Sequence, residues 1–211
     1  MTEPARAYWN RVARRYADRP VSDPEAYDAA LARVRAHLPP GARVLELGCG
    51  TGTTALRLAD AATAIEACDF SEEMIAIARE RAAAAEADTV AFRCADPLAA
   101  GAPTSEFDAV LAFNLLHLID DLDGELAAIR ARLRPGGVFI SKTVCLREVG
   151  PHLRLAVWAL RRFGVLPPHM ASFRAAALER RIAGAGFEIL ETGTYPKSPP
   201  GRLIVARKPA D

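Results

Sequence analysis

Three glycines at alternate positions stand where a predicted strand runs into a predicted helix. The segment at positions 44–52 reads Val-Leu-Glu-Leu-Gly-Cys-Gly-Thr-Gly and contains Gly48, Gly50 and Gly52. Glycine permits positive φ angles, and it lets a ligand approach the backbone where a Cβ atom would collide. Since ligands of parallel α/β sheets bind at the carboxyl ends of the strands, this turn is a predicted binding site.

Two carboxylates accompany the turn. Glu46 precedes the first glycine, and Asp69 follows 23 residues after Glu46, at the predicted end of the second strand. A carboxylate at that place can accept hydrogen bonds from both hydroxyls of a ribose. The other role open to Asp69 is that of a helix cap, but Ser71 already occupies the cap position. The two acids therefore indicate a ligand that contains ribose.

Position 53 distinguishes two kinds of glycine turn. The dinucleotide-binding pattern would place its third glycine there, whereas this chain has Thr53. The Glu-x-Gly-x-Gly-x-Gly form, followed by an acid at the end of the next strand, resembles motif I of the class I S-adenosylmethionine-dependent methyltransferases. Ala95-Asp96 after the third strand, and the segments 107–117 and 133–137, are further marks of that family.

The resemblance implies that the chain binds S-adenosylmethionine, transfers its methyl group and releases S-adenosylhomocysteine. It also implies that Asp96 accepts a hydrogen bond from the adenine amino group, while a neighbouring backbone amide meets the ring. The residues that it assigns to the cofactor lie at the ends of the first four strands: Glu46, Gly48, Cys49, Gly50, Thr53, Asp69, Phe70, Ala95, Asp96 and Asn114.

Strands and helices alternate through the middle of the chain. Predicted strands at 43–47, 63–68, 88–93, 107–112 and 137–142 are interspersed with predicted helices at 53–61, 71–86 and 123–133. This alternation predicts a doubly wound, Rossmann-like α/β fold, with a mostly parallel sheet and helices on both faces. The family resemblance implies seven strands with the last antiparallel, and a predicted hairpin at 187–194 and 202–207 fits that topology.

One domain spanning 1–211 is expected, because no linker separates the predicted elements. It divides into an N-terminal helical cap at 1–40, a cofactor-binding core at 41–143, a helical lid or substrate segment at 144–186 and a terminal β-hairpin at 187–211. The cap contains predicted helices at 3–18 and from 22 to the prolines at 39–40, and the lid segment contains helices at 152–163 and 172–185.

Methyl transfer from a sulfonium needs little from the protein beyond positioning and exclusion of water, because the thioether is a good leaving group. A general base is required only for acceptors that lose a proton, such as hydroxyls. His117 lies just beyond the fourth strand and is the first candidate base. Tyr16 is the second, because in the family an N-terminal helix with a tyrosine covers the methionine end of the cofactor. Packing roles remain open for both residues.

The helix predicted at 152–163 gives an indication of the kind of methyl acceptor. Its apolar residues are flanked by Arg154, Arg161 and Arg162. A lid over the acceptor, an interfacial helix that transiently contacts a membrane, and an ordinary core helix are the three interpretations. Both functional interpretations favour a small, apolar or aromatic acceptor.

The composition and the motifs of the chain argue against several classes of protein. The formal charge of +1 offers no field for nucleic acid, and the four cysteines show no metal-ligand spacing. The chain has no transmembrane stretch or export signal, so a cytoplasmic, metal-independent enzyme is expected. The motifs of base-amine, cytosine-C5 and magnesium-dependent catechol-type methyltransferases are missing.

Two rival functions stay open. The first is a non-catalytic S-adenosylmethionine-binding sensor or subunit, which would bind the cofactor tightly and yield no product. The second is a nicotinamide-dependent oxidoreductase, which Thr53 disfavours.

Overall fold

The computed structural model describes residues 2–96, 98, 107–167 and 169–210. Its strands are β1 (Arg43–Leu47), β2 (Ala64–Asp69), β3 (Val90–Cys94), β4 (Phe107–Phe113), β5 (Leu133–Val144), β6 (Glu188–Lys197) and β7 (Pro200–Arg207). Its α-helices are α1 (Glu3–Ala17), α2 (Pro24–His37), α3 (Thr53–Arg57), α4 (Glu72–Ala84), α5 (Leu122–Arg132), α6 (Pro151–Arg162) and α7 (Ala175–Gly184).

The strands form one seven-stranded sheet in the order β3-β2-β1-β4-β5-β7-β6. All neighbouring pairs from β3 to β5 are parallel, and β7 runs antiparallel to both of its neighbours. This confirms the predicted doubly wound α/β fold and its antiparallel last strand. The strand order reverses between β1 and β4, which places a crevice at the carboxyl ends of these two strands.

Several element boundaries differ from the expected ones, including the end of α3 and the starts of α5 and β5. Helix α3 ends at Arg57, and the chain continues as a 3₁₀ turn at Ala59–Ala61. Helix α5 begins at Leu122, because the Asp121 carboxylate caps it by accepting a hydrogen bond from the Gly124 amide at 3.0 Å. Strand β5 begins earlier than expected, since Leu133 pairs with β4 ahead of an irregularity in the register.

Each face of the sheet buries its own apolar cluster. On one face, Tyr27 and Leu31 of α2 pack over β1, β4 and β5. On the other face, Leu126 of α5 and Ile182 of α7 pack against the same strands. Because side chains alternate along a strand, Glu46 lies on the α2 face, two positions after Val44.

Helix α1 is held against α4 by polar contacts. The Arg14 guanidinium donates to both carboxylate oxygens of Glu80 at 2.8 and 3.0 Å, and the Ser71 hydroxyl donates to Oδ1 of Asn10 at 2.6 Å. The Tyr8 hydroxyl donates to the Val165 carbonyl at 2.8 Å, which ties α1 to the chain that follows α6. These contacts keep α1 beside the carboxyl ends of β1 and β2.

Helix α6 exposes large apolar side chains. The exposed fractions are 65% for Leu155, 64% for Trp158 and 80% for Phe163. The interpretation of residues 152–163 as a core helix is therefore wrong, because the N-terminal helices leave these side chains uncovered. In the described part of the chain, no helix combines the length and apolarity needed to cross a membrane.

Candidate functional site

The glycine turn after β1 adopts a conformation that side chains would obstruct. Gly48 has a φ of +62°, and a Cβ atom there would lie 2.7 Å from Cδ1 of Leu115. Gly50 has a φ of +53° with open space where a Cβ would stand. The Cys49 amide donates to the Cys68 carbonyl at 3.0 Å, which fixes the turn against the end of β2. The turn therefore brings backbone close to any ligand in the crevice.

The carboxylate of Asp69, at the end of β2, holds the glycine turn in place. Its Oδ2 accepts a hydrogen bond from the Gly50 amide and its Oδ1 accepts one from the Ser71 amide, both at 2.9 Å. Burial raises the pKa of the Asp69 carboxyl, and backbone hydrogen bonds oppose that shift. Each carboxylate oxygen has a second lone pair, so acceptor capacity for ribose hydroxyls remains. Ser71 caps α4, as expected, by accepting from the Met74 amide at 3.3 Å.

The exit of β3 adjoins Asp69. The Ala95 amide donates to the Asp69 carbonyl at 3.1 Å, so Ala95 borders the site without a free amide donor. Asp96 is exposed, and its Oδ1 accepts a hydrogen bond from the Leu98 amide at 3.0 Å. The contact of Asp96 with an adenine amino group stays a prediction.

A cavity of about 470 Å³ opens at this edge of the sheet. Of the ten residues assigned to the cofactor, five line it: Gly48, Asp69, Phe70, Ala95 and Asp96. Its volume lies within the range of small-molecule sites, about 300 to 1,000 Å³. The structure thus brings these five residues together at the ends of β1, β2 and β3, and their contact with adenosine stays a prediction.

Sequence reasoning missed several residues of the cavity wall. Leu115 and Ile119 supply apolar surface after β4, Arg6 comes from α1, and further carboxylates border the opening. Those carboxylates are Glu72, Asp120, Asp121 and Glu125. Residues 115–121 directly follow β4 in the sequence, so their place in the cavity wall could have been predicted. The place of Arg6 could not, because it depends on how α1 packs.

Glu46 is a buried acid with one free oxygen. It is 1% exposed, and its Oε2 has no hydrogen-bond partner among the described residues. Burial raises the pKa of Glu46 to about 8, although hydrogen bonds from the Ala55 amide and the Thr54 hydroxyl lower it. S-adenosylmethionine carries an ammonium and a sulfonium, so an unsatisfied carboxylate behind the glycine turn fits that cofactor.

Two tyrosines, Tyr16 of α1 and Tyr27 of α2, add hydroxyl groups to the polar groups around Glu46. The Tyr27 hydroxyl lies 2.8 Å from Oγ1 of Thr54, and burial raises the pKa of Tyr27 to about 12. Burial also raises the pKa of Tyr16, and the negative charge of Asp69 adds to that shift. Tyr16 is nevertheless 43% exposed near the end of α1, so its role in covering the site stays a prediction.

His117 lies in a 3₁₀ turn at Leu116–Leu118 and is only 8% exposed. Burial, assisted by His169, lowers the pKa of His117 to about 4, so its imidazole is neutral near pH 7. Its Nδ1 atom has no partner within the described chain, and its carbonyl accepts from the Ala171 amide at 2.6 Å. His117 borders the strand exit but does not line the cavity.

The five other residues assigned to the cofactor also lie outside the cavity wall: Glu46 and Gly50, described above, and Asn114, Thr53 and Cys49. Asn114 is exposed with a φ of +54°, a left-handed conformation that Asn tolerates. Thr53 begins α3, and its hydroxyl accepts from Arg81 at 3.4 Å. Cys49 is buried within the turn.

Arg81 is a positioning residue that the sequence did not single out. Its Nη1 donates to Oγ1 of Thr51 at 2.9 Å, and its Nη2 donates to the carbonyl of Ala17 at 2.7 Å. It therefore joins α4 to the glycine turn and to the end of α1. Among the described residues, no group of three or more His, Cys, Asp or Glu side chains has the arrangement of a metal site.

Comparison with known proteins agrees with this architecture. A methyltransferase domain model matches residues 14–192. An uncharacterized methyltransferase of Mycobacterium tuberculosis is 31% identical over 159 residues, which cover 75% of this chain and 71% of the relative. A phosphatidylethanolamine N-methyltransferase of Cereibacter sphaeroides is 32% identical over 168 residues, or 79% of each chain.

The fold has a solved counterpart as well. The magnesium protoporphyrin IX methyltransferase of Synechocystis PCC 6803, solved with bound S-adenosylhomocysteine, superimposes with a TM-score of 0.73. It is 21% identical, and the match covers 96% of this chain and 97% of that one. The glycine turn, the acids around it and the matched domain lead to one conclusion. The chain belongs to the class I S-adenosylmethionine-dependent methyltransferases.

Proposed function

We propose that this enzyme methylates a small, apolar or aromatic acceptor at the carboxyl ends of β4 and β5. The observation that carries the proposal is the cavity that joins the glycine turn to Asp69. In this arrangement Asp69 holds the ribose and Asp96 accepts from the adenine amino group. Phe70 and Leu115 contribute apolar surface to the base.

The methionine end of the cofactor is proposed to lie over the glycine turn, on the side of Glu46 and Tyr16. The bound cofactor supplies a methyl group on a positively charged sulfur. We assign the ammonium group to Oε2 of Glu46, a buried oxygen that has no hydrogen-bond partner among the described residues. Tyr16, carried by α1, shields this end of the site from water.

For an acceptor that loses a proton, His117 is the proposed base. Its imidazole is neutral near pH 7, the form that a base requires, and its Nδ1 is unpartnered within the described residues. Burial lowers its pKa to about 4, so it is a weak base unless a bound acceptor changes its surroundings. Tyr16 is the second candidate. An acceptor that is already a nucleophile needs neither residue.

The proposed division of labour follows the chain. Residues 1–40 cover the site, residues 41–143 hold the cofactor, residues 144–186 form a lid and residues 187–211 complete the sheet. The exposed Leu155, Trp158 and Phe163 support the lid, because an apolar acceptor would give these side chains a surface to cover. The proposal includes a cytoplasmic enzyme that acts without nucleic acid.

Calorimetric titration of the purified protein tests the proposal. Binding of S-adenosylmethionine and S-adenosylhomocysteine, with no binding of NAD, is expected. Binding of NAD alone would instead support a nicotinamide-dependent oxidoreductase. Cofactor binding without any methylated product from screened acceptors and cell extracts would favour the non-catalytic sensor or subunit.

A second role for α6 has support of its own. Exposed Trp158, Phe163 and the neighbouring Arg162 resemble the composition of helices that lie in a membrane interface. The similar phosphatidylethanolamine N-methyltransferase is named for a lipid substrate. The chain has two tryptophans, so Trp9→Phe leaves Trp158 as the sole indole reporter. A blue shift of its emission with phosphatidylglycerol vesicles supports membrane contact, and an unchanged spectrum supports the lid.

A further inference from the structure

Lys142 near the end of β5 is a buried lysine that has no ion-pair partner among the described residues. It is 7% exposed, and no carboxylate oxygen of the described residues lies within 4.0 Å of its Nζ. The ammonium instead faces two rings, with Nζ 5.5 Å from the centroid of Tyr27 and 6.0 Å from that of Phe113. Aromatic faces attract a cation, but they do not accept its hydrogen bonds as an anion does.

The surroundings of Lys142 leave its charge uncompensated. Burial lowers the pKa of Lys142, and Asp23 is the carboxylate that opposes this shift. Asp23 accepts a hydrogen bond from the Ala26 amide through Oδ1 and keeps its negative charge, so it acts on Lys142 from a distance and not as an ion-pair partner. Burying an unpaired charge is unfavourable, so such a group persists where a ligand completes its contacts.

Lys142 does not line the cavity described above, but it lies near the carboxyl end of β5, where the acceptor is proposed to bind. Its carbonyl accepts from the Asn114 amide at 2.7 Å, which places it beside the exit of β4. Its side chain shares the α2 face with Glu46, since Ile140 two positions earlier belongs to the same cluster as Val44. β4 separates β1 from β5, and Lys142 lies two residues beyond the position level with Glu46, so the two Cα atoms are about 12 Å apart.

A polar path connects Lys142 to the glycine turn. Tyr27 stacks with its ring under the ammonium, while the Tyr27 hydroxyl contacts Thr54 at 2.8 Å, and Thr54 in turn donates to Glu46. The site therefore has a carboxylate at one end and an ammonium at the other. A cationic cofactor group suits the carboxylate end, and an anionic group of the second substrate suits the ammonium end.

We propose that Lys142, enclosed by Tyr27 and Phe113, binds the carboxylate of the methyl acceptor, so that the acceptor is a small organic acid. The assignment rests on the proposed methyltransferase function and adds the charge of its substrate. The remainder of the acceptor is apolar, in keeping with the rings that surround the ammonium. Lys142 acts here as a specificity-determining residue.

Binding of paired acids and amides to protein saturated with S-adenosylhomocysteine tests the proposal. The probes are benzoate and benzamide, 4-hydroxybenzoate and 4-hydroxybenzamide, and octanoate and octanamide, measured by calorimetry or saturation-transfer NMR. At least one acid is expected to bind the wild type. Lys142→Met should weaken that binding tenfold or more while leaving its amide unaffected.

Two controls separate recognition from folding. Lys208→Gln changes a lysine at the opposite edge of the sheet, where Nζ donates to the Leu133 carbonyl, and it should bind the acids like the wild type. Lys142→Met removes a buried unpaired charge, so its melting temperature should equal or exceed that of the wild type. A structural role for Lys142 predicts a lower melting temperature instead. Lys142→Gln serves as a second variant.

The outcomes are distinct. Equal acid binding by wild type and Lys142→Met, or no acid bound by the wild type, would overturn the proposal. A tenfold loss of S-adenosylhomocysteine affinity in Lys142→Met, with acid binding retained, would assign Lys142 to the cofactor carboxylate and overturn it also. If the wild type binds no S-adenosylhomocysteine, the proposed function itself fails, and this assignment fails with it.

Discussion

The amide of Gly50 lies 2.9 Å from Oδ2 of Asp69 and donates a hydrogen bond to it across the ends of β1 and β2. One carboxylate thereby shapes the glycine turn while presenting its remaining lone pairs to the crevice. Since Asp69 is 8% exposed, these interactions are sheltered from water. The glycine turn and the end of β2 are therefore joined by hydrogen bonds of the protein itself.

Asp69→Asn should weaken S-adenosylhomocysteine binding by about 1.5 to 3 kcal/mol, the range for hydrogen bonds to a charged group. The substitution removes the negative charge and one of the two acceptor oxygens. The ribose hydroxyls and the backbone amides of the turn then compete for the one remaining oxygen. Calorimetry measures the change. Asp88→Ala, an exposed acid before β3, is the control and should bind normally. Unchanged affinity in folded Asp69→Asn would contradict the ribose assignment.

Glu46 should make the cofactor-free enzyme less stable as pH rises from 6.5 to 8. The folded-state pKa is about 8, above the ordinary value of 4.5, so in this window the native state holds a proton that the unfolded state has lost. The stabilisation falls by about 1.4 kcal/mol per pH unit. Glu46→Gln should remove this slope in urea unfolding, whereas exposed Glu25→Gln should retain it.

Cofactor binding should release a proton through the same group. An ammonium beside Glu46 favours the ionised carboxylate, so affinity should rise as pH increases towards 8. Calorimetry in two buffers of different ionisation enthalpy measures the proton. A wild type and a Glu46→Gln variant that release equal amounts would exclude Glu46 as its source.

His117 should have the opposite effect on the pH dependence of stability, and it should do so at lower pH. Its folded-state pKa of about 4 lies below the ordinary 6.5, so the unfolded state binds the additional proton between these values. Stability should fall by about 1.4 kcal/mol for each pH unit below 6.5. Because Glu46 compensates part of this slope, the measurement compares wild type with His117→Gln. Exposed His152→Gln should match the wild type.

Arg81→Ala should loosen both the glycine turn and the end of α1. It removes the hydrogen bonds to Thr51 and to the Ala17 carbonyl, and we expect a loss of about 1.5 to 3 kcal/mol in stability. Weaker cofactor binding and faster proteolysis near residues 17–23 should accompany it. Arg14→Ala breaks an exposed ion pair between the same helices and should change little. Equal effects of the two variants would show that general docking of α1, rather than Arg81, matters.

Much of the fold and half of the cofactor site follow from local sequence. The alternation of strands and helices, the Ser71 cap and the glycine turn depend on residues close together in the chain, and each was predicted. Asp69 could be placed because a strand end and its neighbour in a parallel sheet share one edge. The five predicted cofactor residues that line the cavity lie at such strand ends.

Tertiary packing decided the properties that depend on distant segments. The sequence placed His117 correctly after β4, but only packing against residues near 169–171 buries it and makes it neutral. The exposed face of α6 likewise depends on what the other helices leave uncovered.

Lys142 shows the distinction most directly. In the sequence it is one lysine at the end of a strand, among 27 basic residues. In the fold, Tyr27 from α2 and Phe113 from β4 enclose it, although they lie 115 and 29 positions away. Periodicity reports which side of an element is apolar, whereas burial, electrostatic environment and pKa are set by elements that meet only when the chain has folded.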